Sequence, residues 1–258
     1  MANRIDELFK TKRDRILSVY FTAGFPKLED TVPVIKALQK SGCDMVEVGM
    51  PFSDPLADGP VIQQSSTKAL ANGMTIKKLL EQLKGFRGQI NMPVLLMGYL
   101  NPVLQYGIEK FCAEISGIGI DGLIIPDMPL NVYNTQYNSL FEKHNLHNIL
   151  LITPRTSDAR IQEIEKAGSG FIYAVSSSST TGSAAADKTA QETYFNRLKS
   201  LKLRLPVMIG FGISNRQQFQ FACSYAQGGI IGTAFIKHIE QNGDLQKSIP
   251  LFIQSIRS

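Results

Sequence analysis

Apolar residues in this chain fall into short, nearly unbroken runs, separated by segments in which they recur every three or four positions. The runs are Ile16–Thr22, Met45–Gly49, Val94–Gly98, Gly122–Pro126, Ile149–Thr153, Phe171–Ser176, Pro206–Phe211 and Gly229–Gly232. They are too short for most buried helices and too uniformly apolar for strands with one wet face. That pattern predicts buried parallel strands. The segments between them carry helix punctuation. Asp30 is placed to cap a helix with Pro33 in its first turn, Ile35 and Leu38 on its buried face and Gly42 at its end. Pro60 suits a first turn, with Gly73 as the stop, and Thr75 is placed to cap a segment whose stripe is Ile76, Leu79, Leu80 and Leu83. Ser214 is placed to cap the segment holding Phe219, Ala222 and Cys223. A parallel return needs a crossover, so strands alternating with helices imply βαβ units. Eight such units without a linker-like stretch predict a closed (β/α)8 TIM barrel, one domain over residues 1–258 with a short N-terminal helical segment. A doubly wound open sheet is the alternative. The length of 258 residues suits a barrel, which takes roughly 250.

Composition narrows the class. No apolar run approaches the roughly 20 residues that span a bilayer, and Met1 to Arg15 lack the apolar stretch of a signal peptide, so a cytoplasmic location and no membrane contact are expected. Cys43, Cys112 and Cys223 are far apart, odd in number and without metal spacing; His144, His147 and His238 complete no ligand set with them. No metal is expected, and the histidines read as surface residues at helix ends and in loops. The net charge of +5 is spread out, and the basic cluster Lys10–Arg15 is broken by Asp14 and carries no aromatic residues, against nucleic-acid binding.

Chemistry in such a barrel sits at the C-terminal ends of the strands. Alternation puts Met45, Glu47 and Gly49 on one face of their strand and Val46 and Val48 on the other. If the valines meet the helices, Glu47 points into the barrel, where a carboxylate is costly unless used or paired. The loop Gly49–Pro60 follows, with three prolines and two aspartates holding a defined shape. Its Asp58 suits either a helix N-cap or a catalytic carboxylate, and spacing alone does not choose. Late in the chain, Gly210-Phe-Gly-Ile-Ser214 and Gly232-Thr233 each close a strand and open a helix. Loops after the last two strands, with helix N-termini behind them, are where this architecture holds phosphate. The stretch 176–189, rich in Ser, Thr and Ala, reads as a mobile lid at the mouth. No lysine ends a strand, so Schiff-base chemistry lacks its nucleophile, and proton transfer with positioning is left.

At Val46-Glu-Val-Gly-Met-Pro-Phe-Ser-Asp-Pro-Leu-Ala-Asp-Gly-Pro60 the chain closely resembles the tryptophan synthase alpha-subunit family. The resemblance extends through Tyr99-Leu-Asn101, Pro126-Asp-Met-Pro129, Tyr173, Thr181-Gly182, Gly210-Phe-Gly-Ile-Ser214 and Gly232-Thr233, essentially the whole chain in order. It implies reversible retro-aldol cleavage of indole-3-glycerol phosphate to indole and glyceraldehyde 3-phosphate. It implies that Glu47 is the acid/base acting on the glycerol hydroxyl and the indole ring carbon, and that Asp58 stabilises charge at the indole nitrogen. By the same resemblance Tyr20 and Tyr99 flank the indole, Tyr173 lines the active site, and Thr181 contacts the aspartate on lid closure. Gly182, Gly212, Gly232 and Thr233 cradle the phosphate. Asp54 and Pro55, with Asn101 and Asp127, would face a beta subunit in an αββα complex; that partner, not this chain, would carry pyridoxal phosphate. The lid departs from the family pattern: Ser177 replaces the usual arginine and Ser179 the usual glycine.

Two rival readings fit the residues less well. Another phosphate-binding barrel, an isomerase or synthase, would need a different acid/base set and leave the loop motif without a reason. A non-catalytic binder of a beta subunit would have little reason to keep both Glu47 and Asp58.

Overall fold

The computed structural model describes residues 2–176, 184–210 and 212–257, with the side chains of 184–188 also outside that description. Among the described residues nine strands, all paired in parallel, form one sheet: β1 Ile16–Thr22, β2 Met45–Gly49, β3 Val94–Met97, β4 Gly122–Ile124, β5 His147–Asn148, β6 Leu150–Ile152, β7 Ile172–Val175, β8 Val207–Gly210 and β9 Gly228–Ile231. Their order is β5-β4-β3-β2-β1-β9-β8-β7-β6. The two outermost strands are consecutive in the chain, separated only by Ile149. They are one strand in two pieces, β5 pairing with β4 and β6 with β7, so the sheet closes on itself through the chain. This is the (β/α)8 barrel that the apolar runs predict, and the open-sheet alternative falls. The fifth strand begins two residues before its predicted start, because its first piece, His147–Asn148, is polar and lies outside the apolar run.

Alternation along these strands sorts side chains into two apolar layers. Inside the barrel, Ile16, Met45, Leu95, Ile124, Ile149, Phe171, Met208 and Ile230 form one cluster. Outside it, Val46, Val48, Leu96, Leu123 and Ile209 pack in a second cluster with helix residues such as Leu38, Leu79 and Phe219. The N-terminal helix Arg4–Thr11 closes the lower end, its Ile5 fully buried in the inner cluster. Asn3 caps that helix and ties it down, donating from Nδ2 to the carbonyls of Asp121 (2.8 Å) and Asn145 (2.9 Å). Asp121 itself is buried beneath β4 and pairs with Arg4 and Arg87.

Several helix boundaries follow the punctuation, and two do not. Thr75 accepts from the Lys78 amide at the head of Ile76–Leu83, and Pro60 opens Pro60–Ala71. Asp30 does not cap Thr31–Lys40 with its side chain; its carboxylate turns back to the Lys27 amide, 3.0 Å away, inside a short 3₁₀ turn. Ser214 is one residue too early: Asn215 caps Arg216–Cys223, while the Ser214 amide and hydroxyl donate to Gln218. Of the stretch 176–189 read as a lid, residues 184–189 belong to the helix Ala184–Ser200 and Ser176 is buried just after β7, while 177–183 lie outside the described residues. The histidines are not all at the surface. His147 lies half-buried in β5, 3.1 Å from Asp6, and His238 is half-buried against Phe252.

Candidate active site

Glu47 stands in the middle of β2, opposite Tyr20 of β1 in register, and is fully buried. Val46 and Val48 do pack outward, so the carboxyl group points into the barrel. One oxygen, Oε1, accepts from the Ser18 hydroxyl at 2.8 Å. The other, Oε2, has no hydrogen-bond partner among the described residues. Burial disfavours the charged form and pushes the pKa up to about 8, with the Ser18 hydrogen bond pulling the other way. Near neutral pH this residue holds a proton.

Asp58 lies half-buried at the end of the loop after β2. The cap of the helix that follows is Gly59, so the N-cap reading of Asp58 is wrong. Its side chain is held instead by Tyr99, whose hydroxyl accepts from the Ala57 amide (3.0 Å) and donates to the Asp58 carboxylate. Burial raises the Asp58 pKa to about 6, opposed by the Tyr99 hydrogen bond. Phe52 packs on Tyr99 with ring centroids 5.3 Å apart, which fixes the tyrosine from the other side.

A cavity of about 270 Å³ opens at the mouth, a size suited to a small substrate. Tyr20, Tyr173, Met97 and Ile62 give it an apolar wall, and Asp58 lines it directly. Glu47 does not line it. It lies beside Tyr20 in register and close enough to Tyr20 and Tyr173, which do line the cavity, that its charge would raise the pKa of both. These rings are seated on bare backbone: a Cβ on Gly49 would overlap the Tyr20 hydroxyl, and one on Gly210 the Tyr173 hydroxyl. Gly212, Ser214, Gly232 and Thr233 also line it, Gly232 close against the Tyr20 ring, with Lys237 one helical turn beyond Thr233. Gly212 has φ +79, a conformation that favours glycine. Gly232 caps the helix Thr233–Gln241 without a side chain, leaving its first amides directed at the cavity end.

Five of the anticipated substrate residues (Tyr20, Tyr173, Gly212, Gly232 and Thr233) thus share one cavity with Asp58, and Tyr99 joins them through its bond to Asp58. Thr181, Gly182, Ser177 and Ser179 lie outside the described residues. Asn101 and Asp127, both exposed, are brought together where the Leu100 amide donates to Asp127 Oδ1 at 2.9 Å. Asp54 and Pro55 lie in the loop that carries Asp58, and the neighbouring Leu56 is 94% exposed. Ser18, Lys237 and Leu56 were not anticipated. Lys237 had a readable signal, its four-residue spacing from Thr233; a lone serine in an apolar strand had none.

A parallel barrel whose C-terminal mouth holds two carboxyl groups of separated acidity beside a tyrosine-walled cavity belongs to the class of (β/α)8-barrel enzymes. Comparison with known proteins narrows that class. A family profile described as tryptophan synthase alpha chain matches residues 7–251. Proteins named tryptophan synthase alpha chain from Christiangramia forsetii and Flavobacterium johnsoniae are each 52% identical to this chain. The first aligns over 99% of both chains, the second over 99% of this chain and 100% of its own. Among solved structures, the tryptophan synthase alpha chain of Legionella pneumophila superposes with a TM-score of 0.88 at 34% identity, covering 100% of this chain and 97% of that one. An aminoacrylate-bound tryptophan synthase from M. tuberculosis gives 0.86 at 29% identity, over 99% and 100%. The chain belongs to the tryptophan synthase alpha chain family. It is a carbon–carbon lyase of tryptophan biosynthesis, cleaving indole-3-glycerol phosphate to indole and glyceraldehyde 3-phosphate.

Proposed function

We propose that the cleavage is carried out by Glu47 as proton donor and acceptor and by Asp58 as the partner of the indole nitrogen. The observation that supports this is the separation of their acidities, about 8 for Glu47 and about 6 for Asp58, at one barrel mouth. Between those values one carboxyl keeps its proton while the other is charged. Indole-3-glycerol phosphate is bound with its ring between Tyr20 and Tyr173 and its N–H directed at Asp58. Glu47 protonates the ring carbon that bears the glycerol chain. The positive charge then spreads to the ring nitrogen, where the Asp58 carboxylate stabilises it. The Glu47 carboxylate next takes the proton from the adjacent glycerol hydroxyl. That oxygen's electrons form the carbonyl, the carbon–carbon bond breaks, and its electron pair restores the indole. Glu47 ends as it began, protonated. Gly212, Gly232 and Thr233, together with Gly182, hold the phosphate through backbone amides, and Thr181 acts with the segment that closes over the substrate.

The exposed loop at Asp54 and Pro55, with Asn101 and Asp127, forms the face that meets a beta subunit in an αββα assembly. Pyridoxal phosphate resides on that subunit, and indole passes to it. The protein works in the cytoplasm as one domain; among the described residues no helix is long and apolar enough to cross a membrane. The test is indole and glyceraldehyde 3-phosphate formation from indole-3-glycerol phosphate, by the purified chain alone and with a beta subunit added. Slow release that rises sharply with the partner is expected. No release from folded protein in either condition rejects the reading.

A further inference from the structure

The inner layer of the barrel is apolar on nearly every strand, with Met45, Leu95, Ile124, Ile149, Met208 and Ile230 as its neighbours around the ring. Ser18 is a polar side chain set into this layer on β1. It is fully buried on β1, in register with Met45, one layer below the Tyr20–Glu47 pair. A hydroxyl in such a place costs free energy unless it is hydrogen-bonded, and an apolar side chain of similar size would cost nothing. Its partner is Glu47 Oε1, at 2.8 Å. Glu47 Oε2 is left without a partner among the described residues.

We propose that Ser18 is a positioning residue for Glu47: by occupying Oε1 from below it fixes the carboxyl plane and makes Oε2 the oxygen that carries and transfers the proton. This rests on the acid/base reading of Glu47 given above. A carboxylic acid has one donor and one oxygen that only accepts. A fixed external donor on Oε1 satisfies the accepting oxygen, so the proton resides on Oε2. Without that anchor the two oxygens are equivalent and the group is free to turn among apolar neighbours. Proton transfer to carbon needs the donor oxygen held at one place, and misplacement by about 1 Å costs on the order of a hundredfold in rate.

Ser18 also sets the acidity. Around the carboxyl group lie Tyr20 of β1, Leu95 of β3 in register, and Tyr173 of β7. Among the described residues the titratable groups facing it are those two neutral tyrosines, and Asp58, which acts on the same tyrosines, lines the cavity they share. Ser18 is thus the group that offsets desolvation by favouring the charged form. Removing its hydroxyl raises the Glu47 pKa further.

The experiment compares Ser18→Ala and Ser18→Thr with the wild-type chain in complex with its beta subunit. For Ser18→Ala we expect kcat for cleavage to fall roughly ten- to hundredfold with KM changed less than about twofold. The basic limb of the pH profile should move up by about half to one unit, the worth of one net hydrogen bond. Ser18→Thr keeps the hydroxyl and should restore both. In parallel, the infrared carboxyl band that vanishes in Glu47→Gln should move to higher wavenumber in Ser18→Ala. That band reports the hydrogen bond whether or not Glu47 is the catalytic acid, so an unshifted band overturns the proposal independently of the mechanism above. Wild-type kcat and an unmoved basic limb in Ser18→Ala also overturn it. So does a Ser18→Thr variant that loses activity and thermal stability as Ser18→Ala does, since that result is packing alone.

Discussion

The separated acidities of the two carboxyl groups make a prediction that pH alone can probe. Asp58 must be charged and Glu47 protonated in the free enzyme. Asp58 has its pKa raised to about 6, so the charged form is lost as pH falls through that value. Glu47 has its pKa raised to about 8, so the protonated form is lost as pH rises through that one. The expected profile of kcat/KM is a bell with limbs near these two values and a maximum near pH 7. At the maximum roughly nine-tenths of each group is in the required form, so about 80% of the molecules are competent. At pH 5 or pH 9 one group is about nine-tenths in the wrong form, and the rate should fall to roughly a ninth of its maximum. The assay is initial indole release from indole-3-glycerol phosphate across pH 5 to 9 at constant ionic strength, with folding checked at each end. In Asp58→Asn the residual activity should lose its acid limb and keep the basic one. A rate that is flat over this range, or that climbs steadily through pH 9, refutes the assignment of a protonated Glu47.

Three further outcomes follow from individual contacts. Tyr99→Phe removes a hydrogen bond that favours charged Asp58, so the acid limb should move upward by about half to one pH unit; an unmoved limb breaks the Tyr99–Asp58 link. Gly212→Val places a branched side chain at φ +79 in the lining of the cavity, and KM for the phosphorylated substrate should rise at least about tenfold in steady-state assays. An unchanged KM removes Gly212 from the phosphate end. Leu56→Asp puts a charge on a side chain that is 94% exposed at the proposed partner face; activation by the beta subunit should weaken markedly while activity of the isolated chain persists. Equal activation curves would place the interface elsewhere.

Much of this architecture was legible in the sequence because buried parallel strands have to be apolar on both faces. β1 and β2 match their predicted runs residue for residue, β3 and β4 lose ends such as Gly98 and Pro126 where the chain leaves the barrel to form the mouth, and β9 starts one residue early, at Gly228. The split fifth strand was hidden because pairing of His147–Asn148 with β4 depends on backbone geometry and not on side-chain polarity. At the site, Glu47 could be placed by alternation alone. Asp58 could not, because a cap with no side chain, Gly59, leaves no mark that separates an aspartate before a helix from one that caps it. Ser18 matters only through a partner 29 positions away, a relation no local window contains. Roles at atomic detail came from the family resemblance; the geometry adds the acidity of each group and the hydrogen bonds that set it.

The most direct test of the central claim is the rate of indole release by Glu47→Gln in the presence of the beta subunit. Glutamine preserves the volume and can still accept from Ser18 but carries no transferable proton. The account predicts a loss of about a hundred- to ten-thousandfold in kcat with binding of glycerol phosphates retained. Turnover within a few-fold of the unaltered chain would contradict it and move the proton transfer to another group.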